Sequence, residues 1–213
     1  TKKITQAMKM VAASKLKKAQ SLAERGRSYS SGLDGIVKRL VGSSEYVEHP
    51  LLGNNLEEKM SSLIIVVSSD RGLCGGLNSN IVKEVKKKIK KIQLENKSLS
   101  LVCIGKKGYD LLSGLFEEMF NFEVKYISIG EVDYKSIEKI GNKILSGFYK
   151  NDFQECCLFY NYFKSVISQE VKVETLIPYA SSNYDNIKHE ENTDNYFEYE
   201  PNEEEVLSKI LPK

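Results

Sequence analysis

Few side chains in this sequence are spaced to do chemistry. The best candidates gather in one stretch, Ser68-Ser69-Asp70-Arg71-Gly72-Leu73-Cys74-Gly75-Gly76-Leu77-Asn78. Asp70 and Arg71 stand where a strand would end, the edge at which open α/β sheets place their ligands. Cys74 could serve as a nucleophile if a following helix N-terminus lowered its thiol pKa. The glycines sit where phosphate-binding loops sit, because free backbone N–H groups and a helix dipole favour anions. No set is complete, however. There is no G-x-G-x-x-G, and no Lys-Ser/Thr follows the glycines as in a P-loop. A lone Asp–Arg pair is more often a turn-stabilising interaction, and a tight strand-to-helix turn needing positive φ accounts better for the glycines. Asp70, Arg71, Gly72, Gly75 and Gly76 are therefore read as structural turn residues, and the chain alone as non-enzymatic. The alternative is a stand-alone phosphate- or nucleotide-binding α/β protein centred on Asp70–Asn78.

Metal and redox chemistry find no better support. The cysteines are Cys74, Cys103, Cys156 and Cys157, with no C-x-x-C among them, and His49 and His189 lack metal-ligand spacing. Adjacent residues of an extended segment point to opposite faces, so Cys156–Cys157 is a poor disulfide candidate. All four read as reduced packing residues. No cofactor and no metal is expected. No apolar run approaches the roughly 20 residues of a spanning helix, and there is no signal peptide.

The turn needs elements to hold it. Leu63-Ile64-Ile65-Val66-Val67 is a continuous apolar run, as in a strand covered on both faces. After the turn, Val82, Val85, Ile89 and Ile92 make one helical seam, capped by Asn78 or Ser79. A second buried strand follows at 99–104, a short helix near 109–115, an alternating strand at 122–129 and a helix through Ile137, Ile140, Ile144 and Phe148. Residues 154–166 and 170–177 read as an antiparallel hairpin ended by Pro178. Pro201 suits the first turn of a last helix. The fold class is α/β, a Rossmann-like sheet with helices on its faces.

Ahead of this body lies a long helix, expected over 2–42 and about 60 Å long at 1.5 Å per residue. Its second half carries a wide apolar stripe through Leu33, Ile36, Val37, Leu40 and Val41. Its first half offers only a narrow seam, Ile4, Met8, Val11 and Ala12, which suits a two-helix coiled coil. The domains are therefore 1–43 as a long protruding N-terminal helix, 44–61 as a connection, 62–200 as the Rossmann-like α/β domain and 201–213 as the start of another helix.

Net charge is only +2, but it is unevenly spread. Residues 1–27 carry eight Lys and Arg against Glu24, and residues 189–205 are acidic with no Lys or Arg. These blocks are either solvated faces or docking surfaces. The lysines at 83–91 lack aromatic interleaving, so a solvated helix face is the better reading than nucleic-acid binding.

Taken together, ITQAMKMVAASKLKKAQ (4–20), SSDRGLCGGLNSNI (68–81), IGKKG (104–108) and YEPNEEEVL (199–207) resemble the gamma subunit family of F-type ATP synthases. The resemblance runs over nearly the whole chain, in the family's order. It implies a non-catalytic rotor shaft inside an alpha/beta hexamer, with a nucleotide-free Rossmann-like foot touching the epsilon subunit and the c-ring. No nucleic acid is implied, and the membrane is met only through the c-ring. The complex would lie on the cytoplasmic face of a bacterial inner membrane or the matrix side of the mitochondrial one. Met8 and Lys9 match the shaft region facing the beta subunits. Tyr199 and Glu200 match the foot segment near the c-ring. Against the family's pattern, the sequence opens inside the first helix and stops at Lys213, where the long C-terminal helix begins, so a fragment or truncated product is expected.

Overall fold

The computed structural model describes residues 2–43, 49–53, 61–129, 134–165, 168–179, 200 and 202–211. They fall into two compact units, Thr1–Val47 with Ser182–Leu211, and Glu48–Ser181.

The first unit is dominated by α1 (Lys2–Ser43), a single 42-residue helix. No proline occurs before Pro50, so nothing removes a backbone donor along it. Gly26, Gly32 and Gly35 are carried without a break, and an added Cβ at each would meet open space. Val37 and Leu40 are buried, as the stripe in the second half predicts. The last helix, α5 (Glu203–Ile210), packs on α1 and buries Leu207. It starts two residues later than a helix with Pro201 at its first position would. Asn202 is its N-cap, accepting the Glu205 N–H at 2.8 Å, and Pro201 lies outside the described residues.

The second unit is a five-stranded sheet in the order β3-β2-β1-β4-β5. Its strands are β1 (Ser61–Val67), β2 (Ser98–Ile104), β3 (Tyr126–Ile127), β4 (Glu155–Ser165) and β5 (Ser168–Ile177). β1 lies parallel to β2 and β4, β3 parallel to β2, and β5 antiparallel to β4. Helices α2 (Leu77–Leu94), α3 (Lys106–Phe116) and α4 (Tyr134–Tyr149) make the crossovers. The sheet is thus mixed, with one antiparallel edge, as the hairpin expected over 154–166 and 170–177 predicts.

Central strand β1 is buried from Ser62 to Val66, the signature of helices on both faces. On one face Ile64, Val66, Leu101, Cys103 and Phe159 share a core with Ile81, Val85, Ile89 and Leu112. The seam expected in α2 is therefore its core-facing side. The strand expected over 122–129 shrinks to Tyr126–Ile127. Its first half is drawn elsewhere: Phe122 packs edge-on against Phe153 at 6.2 Å and Glu123 pairs with Lys143 at 2.6 Å.

Candidate functional site

The turn after β1 is held from three sides, and the holding explains its chemistry. The first N–H groups of any helix lack intrahelical partners. In α3 these donors go to the end of β1. Lys106 N–H donates to Asp70 Oδ1 at 2.9 Å, Lys107 N–H to the Ser69 carbonyl at 2.9 Å and Gly108 N–H to Ser68 Oγ at 2.7 Å. Asp70 Oδ2 also accepts from the Ser128 hydroxyl at 2.8 Å. Asp70 is thus a cap joining β1, α3 and the segment after β3. The N-terminus of α3 is thus satisfied by the protein's own oxygens.

The approach is close because two glycines permit it. Gly105 has φ +106°, and a Cβ there would fall 2.1 Å from the Ser68 carbonyl oxygen. A Cβ on Gly108 would lie 2.6 Å from Ser68 Oγ. Ser68 itself is buried and donates from Oγ to the Gly105 carbonyl at 3.0 Å. Gly105, Gly108 and Ser128 lie outside the Ser68–Asn78 stretch that the sequence singles out. The signal for two of them is a glycine pair three apart opening a helix directly after a buried strand.

The turn glycines play unequal parts. Positive φ falls on Leu73 (59°) and Gly75 (60°), and Gly76 is the N-cap of α2 without a side-chain bond. The expected cap by Asn78 or Ser79 is therefore corrected. Asn78 Oδ1 accepts the Ser69 N–H at 3.1 Å, and its Nδ2 donates to Ser69 Oγ at 2.8 Å and Cys74 Sγ at 3.1 Å. Being buried, Asn78 braces the turn from inside the helix and leaves its end uncapped. Ser79 Oγ donates to the Gly76 carbonyl at 3.1 Å. Arg71 is exposed, and its carbonyl accepts from Ser69 Oγ at 2.6 Å.

Cys74 has Asn78, Ser69 and the Arg71 carbonyl for hydrogen-bonding partners, with no imidazole among them. The other three thiols are buried. Burial pushes Cys103 up to about 12. It raises Cys156 and Cys157 as well, with the Glu155 carboxylate adding to both. His49 is drawn below its usual value by burial, and its Nδ1 accepts the Leu51 N–H at 3.2 Å, so it caps a short 3-10 turn. His189 lies outside the described residues. Among the described residues, no three His, Cys, Asp or Glu side chains gather to hold a metal.

On α1 residues 2–19 are all exposed, apolar residues included. Ile4, Met8 and Val11 are 66%, 67% and 56% accessible, and Lys9 lies beside them, also exposed. Glu200 is exposed, and Tyr199 lies outside the described residues. Met8 and Lys9 belong to the first unit and the Asp70 turn to the second.

The family model described as ATP synthase matches residues 1–213. The ATP synthase gamma chain of Pelagibacter ubique is 41% identical over 214 residues, covering all of this chain and 72% of that relative. That of Sinorhizobium medicae is 33% identical, with the same coverage. The chain belongs to the ATP synthase gamma chain family. The central stalk and c-ring structure of the Tetrahymena thermophila mitochondrial ATP synthase contains a chain of the same fold. It superposes with a TM-score of 0.62 at 28% identity, covering 98% of this chain and 86% of that one. A gamma chain is the central-stalk rotor of an F-type ATP synthase and is not catalytic; catalysis occurs on the beta subunits. The phosphate-binding alternative is not favoured. Among the described residues, no helix is long and apolar enough to cross a membrane.

Proposed function

We propose that α1 works as one strand of a torque shaft inside an alpha/beta hexamer, and that the sheet unit forms part of a foot on the epsilon subunit and c-ring. The exposed seam through Ile4, Met8 and Val11 carries this reading. An isolated helix is marginal in water, so such a seam needs a partner helix. Residues 1–43 would be the shaft, 44–61 a connection, 62–200 the foot and 201–213 the return into a second shaft strand. Met8 and Lys9 would face the beta subunits, and Tyr199 and Glu200 the c-ring loops. Lys9 suits a sliding contact because exposed ion pairs are worth about 1 kcal/mol or less and break readily. The complex would sit on the cytoplasmic face of a bacterial inner membrane, or on the matrix face in a mitochondrion.

Co-expression with alpha, beta, epsilon and c subunits tests the reading. The chain should co-purify with both hexamer and ring. Met8→Ala or Lys9→Glu should lower the number of protons pumped per ATP. Unchanged pumping in both variants removes the assignment of Met8 and Lys9. Micromolar binding of ATP, NAD or phosphate to the isolated chain in calorimetry removes the pure shaft reading.

A further inference from the structure

Outside the turn and the shaft seam, one surface of the sheet unit has an unmatched composition. Helices α2 and α3 lie side by side on one face of the sheet. An open groove of about 500 Å³ lies along α2, lined there by Val82, Lys83, Lys86, Lys87 and Lys90, with Leu111 of α3 also lining it. The apolar strip continues along α3: Leu111 and Leu115 are 45% and 63% accessible. Gly114 between them has open space where a Cβ would be. Lys87 pairs with Glu84 at 2.8 Å. Among the described residues, Lys83, Lys86 and Lys90 have no carboxylate within ion-pair distance.

We propose that this groove is a docking site for an acidic amphipathic helix of a partner protein. The lysines recur at i, i+3, i+4 and i+7, so their row runs about two turns along α2, roughly 10 Å. Carboxylates on a helix lying alongside repeat with the same period, and a helix packed along another presents a matching ridge. The apolar lining selects against nucleic acid. A nucleic-acid backbone would meet the lysines and leave Leu111 and Leu115 wet. A helix with Leu or Met at i and i+4, flanked by Glu or Asp, covers the apolar residues and neutralises the lysines at once. Electrostatic matching of this kind speeds encounter and fixes register. The inference stands apart from the rotor reading, since it needs only the sheet unit's own surface.

The test uses the complete chain and a fluorescent synthetic helix of about four turns with Leu at i, i+4 and i+7 and Glu on both flanks, followed by anisotropy. Saturable binding is expected, weakening at least tenfold in Lys86→Glu/Lys90→Glu and in Leu111→Asp. Lys139→Glu, an exposed charge reversal on α4, should leave it unchanged. Equal affinity for a scrambled peptide of the same charge overturns the proposal. So does an equal loss in Lys139→Glu, or lysine-dependent binding to phosphatidylglycerol vesicles without peptide binding. In the purified ATP synthase, carbodiimide should join Lys83, Lys86 or Lys90 to carboxylates of a helical segment of another subunit. Cross-links only to this chain's own residues 44–60 or 180–199 would overturn it. A chain missing from that complex sinks the rotor reading, while the peptide titration still decides the groove.

Discussion

Gly108 and Gly114 are both inside α3, and helix propensity treats them alike. Replacing either by Ala removes backbone entropy from the unfolded chain and should stabilise by about 0.4–1 kcal/mol. The structure separates them. At Gly114 nothing lies within 4 Å of the new methyl group, so the propensity gain should appear in full. At Gly108 the methyl carbon would lie 2.6 Å from Ser68 Oγ and 3.0 Å from Ser68 Cβ. Ser68 cannot swing aside cheaply. Its hydroxyl accepts from Gly108 N–H and donates to the Gly105 carbonyl, both in a buried setting. Overpacking of this kind costs about 1–3 kcal/mol, and losing the bond to Gly108 N–H adds about 1 kcal/mol. After subtracting the propensity gain, Gly108→Ala should destabilise by about 2 kcal/mol and Gly114→Ala should stabilise by about 0.5 kcal/mol. Urea denaturation of the complete chain, followed by far-UV circular dichroism and tyrosine fluorescence, reads both signs. Movement of the two midpoints in the same direction would refute the close approach of α3 to β1.

Three further outcomes follow from the same geometry. Asp70→Ala should cost about 1–2 kcal/mol by removing the α3 cap, while Asp70→Asn, which keeps an oxygen for Lys106 N–H, should cost less than half as much; equal losses in urea titrations would contradict the cap. Native protein at pH 8 should react with a thiol reagent quickly at Cys74 and at the three buried cysteines only after unfolding; at a pKa of about 12 only about one Cys103 in 10⁴ is thiolate at that pH. The raised Cys103 pKa also makes folding oppose ionisation, so its contribution is complete below the unfolded thiol pKa near 8.5 and is lost as pH rises toward about 12; between pH 9 and 11 the stability of Cys103→Ala should fall less steeply with pH than that of the parent.

Long-range order in the sequence was legible where one rule governs a whole element. The period of Val82, Val85, Ile89 and Ile92 predicts both α2 and its buried side. The unbroken run 63–67 predicts a central strand. The helix over 2–42 emerges as Lys2–Ser43 because no proline interrupts it. Legibility failed where tertiary partners outbid local preference. Asn78 is a good N-cap residue by type, but Ser69 and Cys74 claim its amide from across the turn. Phe122 alternates like a strand residue, yet it fits beside Phe153 against Gly147, where a Cβ would lie 3.1 Å from both rings. Asp70 reads from the sequence as a turn residue, and its partners, Lys106 and Ser128, lie 36 and 58 positions away. No local pattern reports such a pairing. Met8 and Lys9 are the opposite case: the sequence singles them out through the family's motif, and the structure adds that both are exposed.

The central claim is that this chain turns within a head that does the chemistry. It is tested most directly by watching the chain move. A gold particle can be attached through Lys139→Cys in a Cys74→Ser background, in complexes immobilised by their alpha/beta hexamers. On adding ATP the particle should rotate continuously in one direction and stop when ATP is exhausted. A particle that stays fixed while the same complexes hydrolyse ATP would contradict the account.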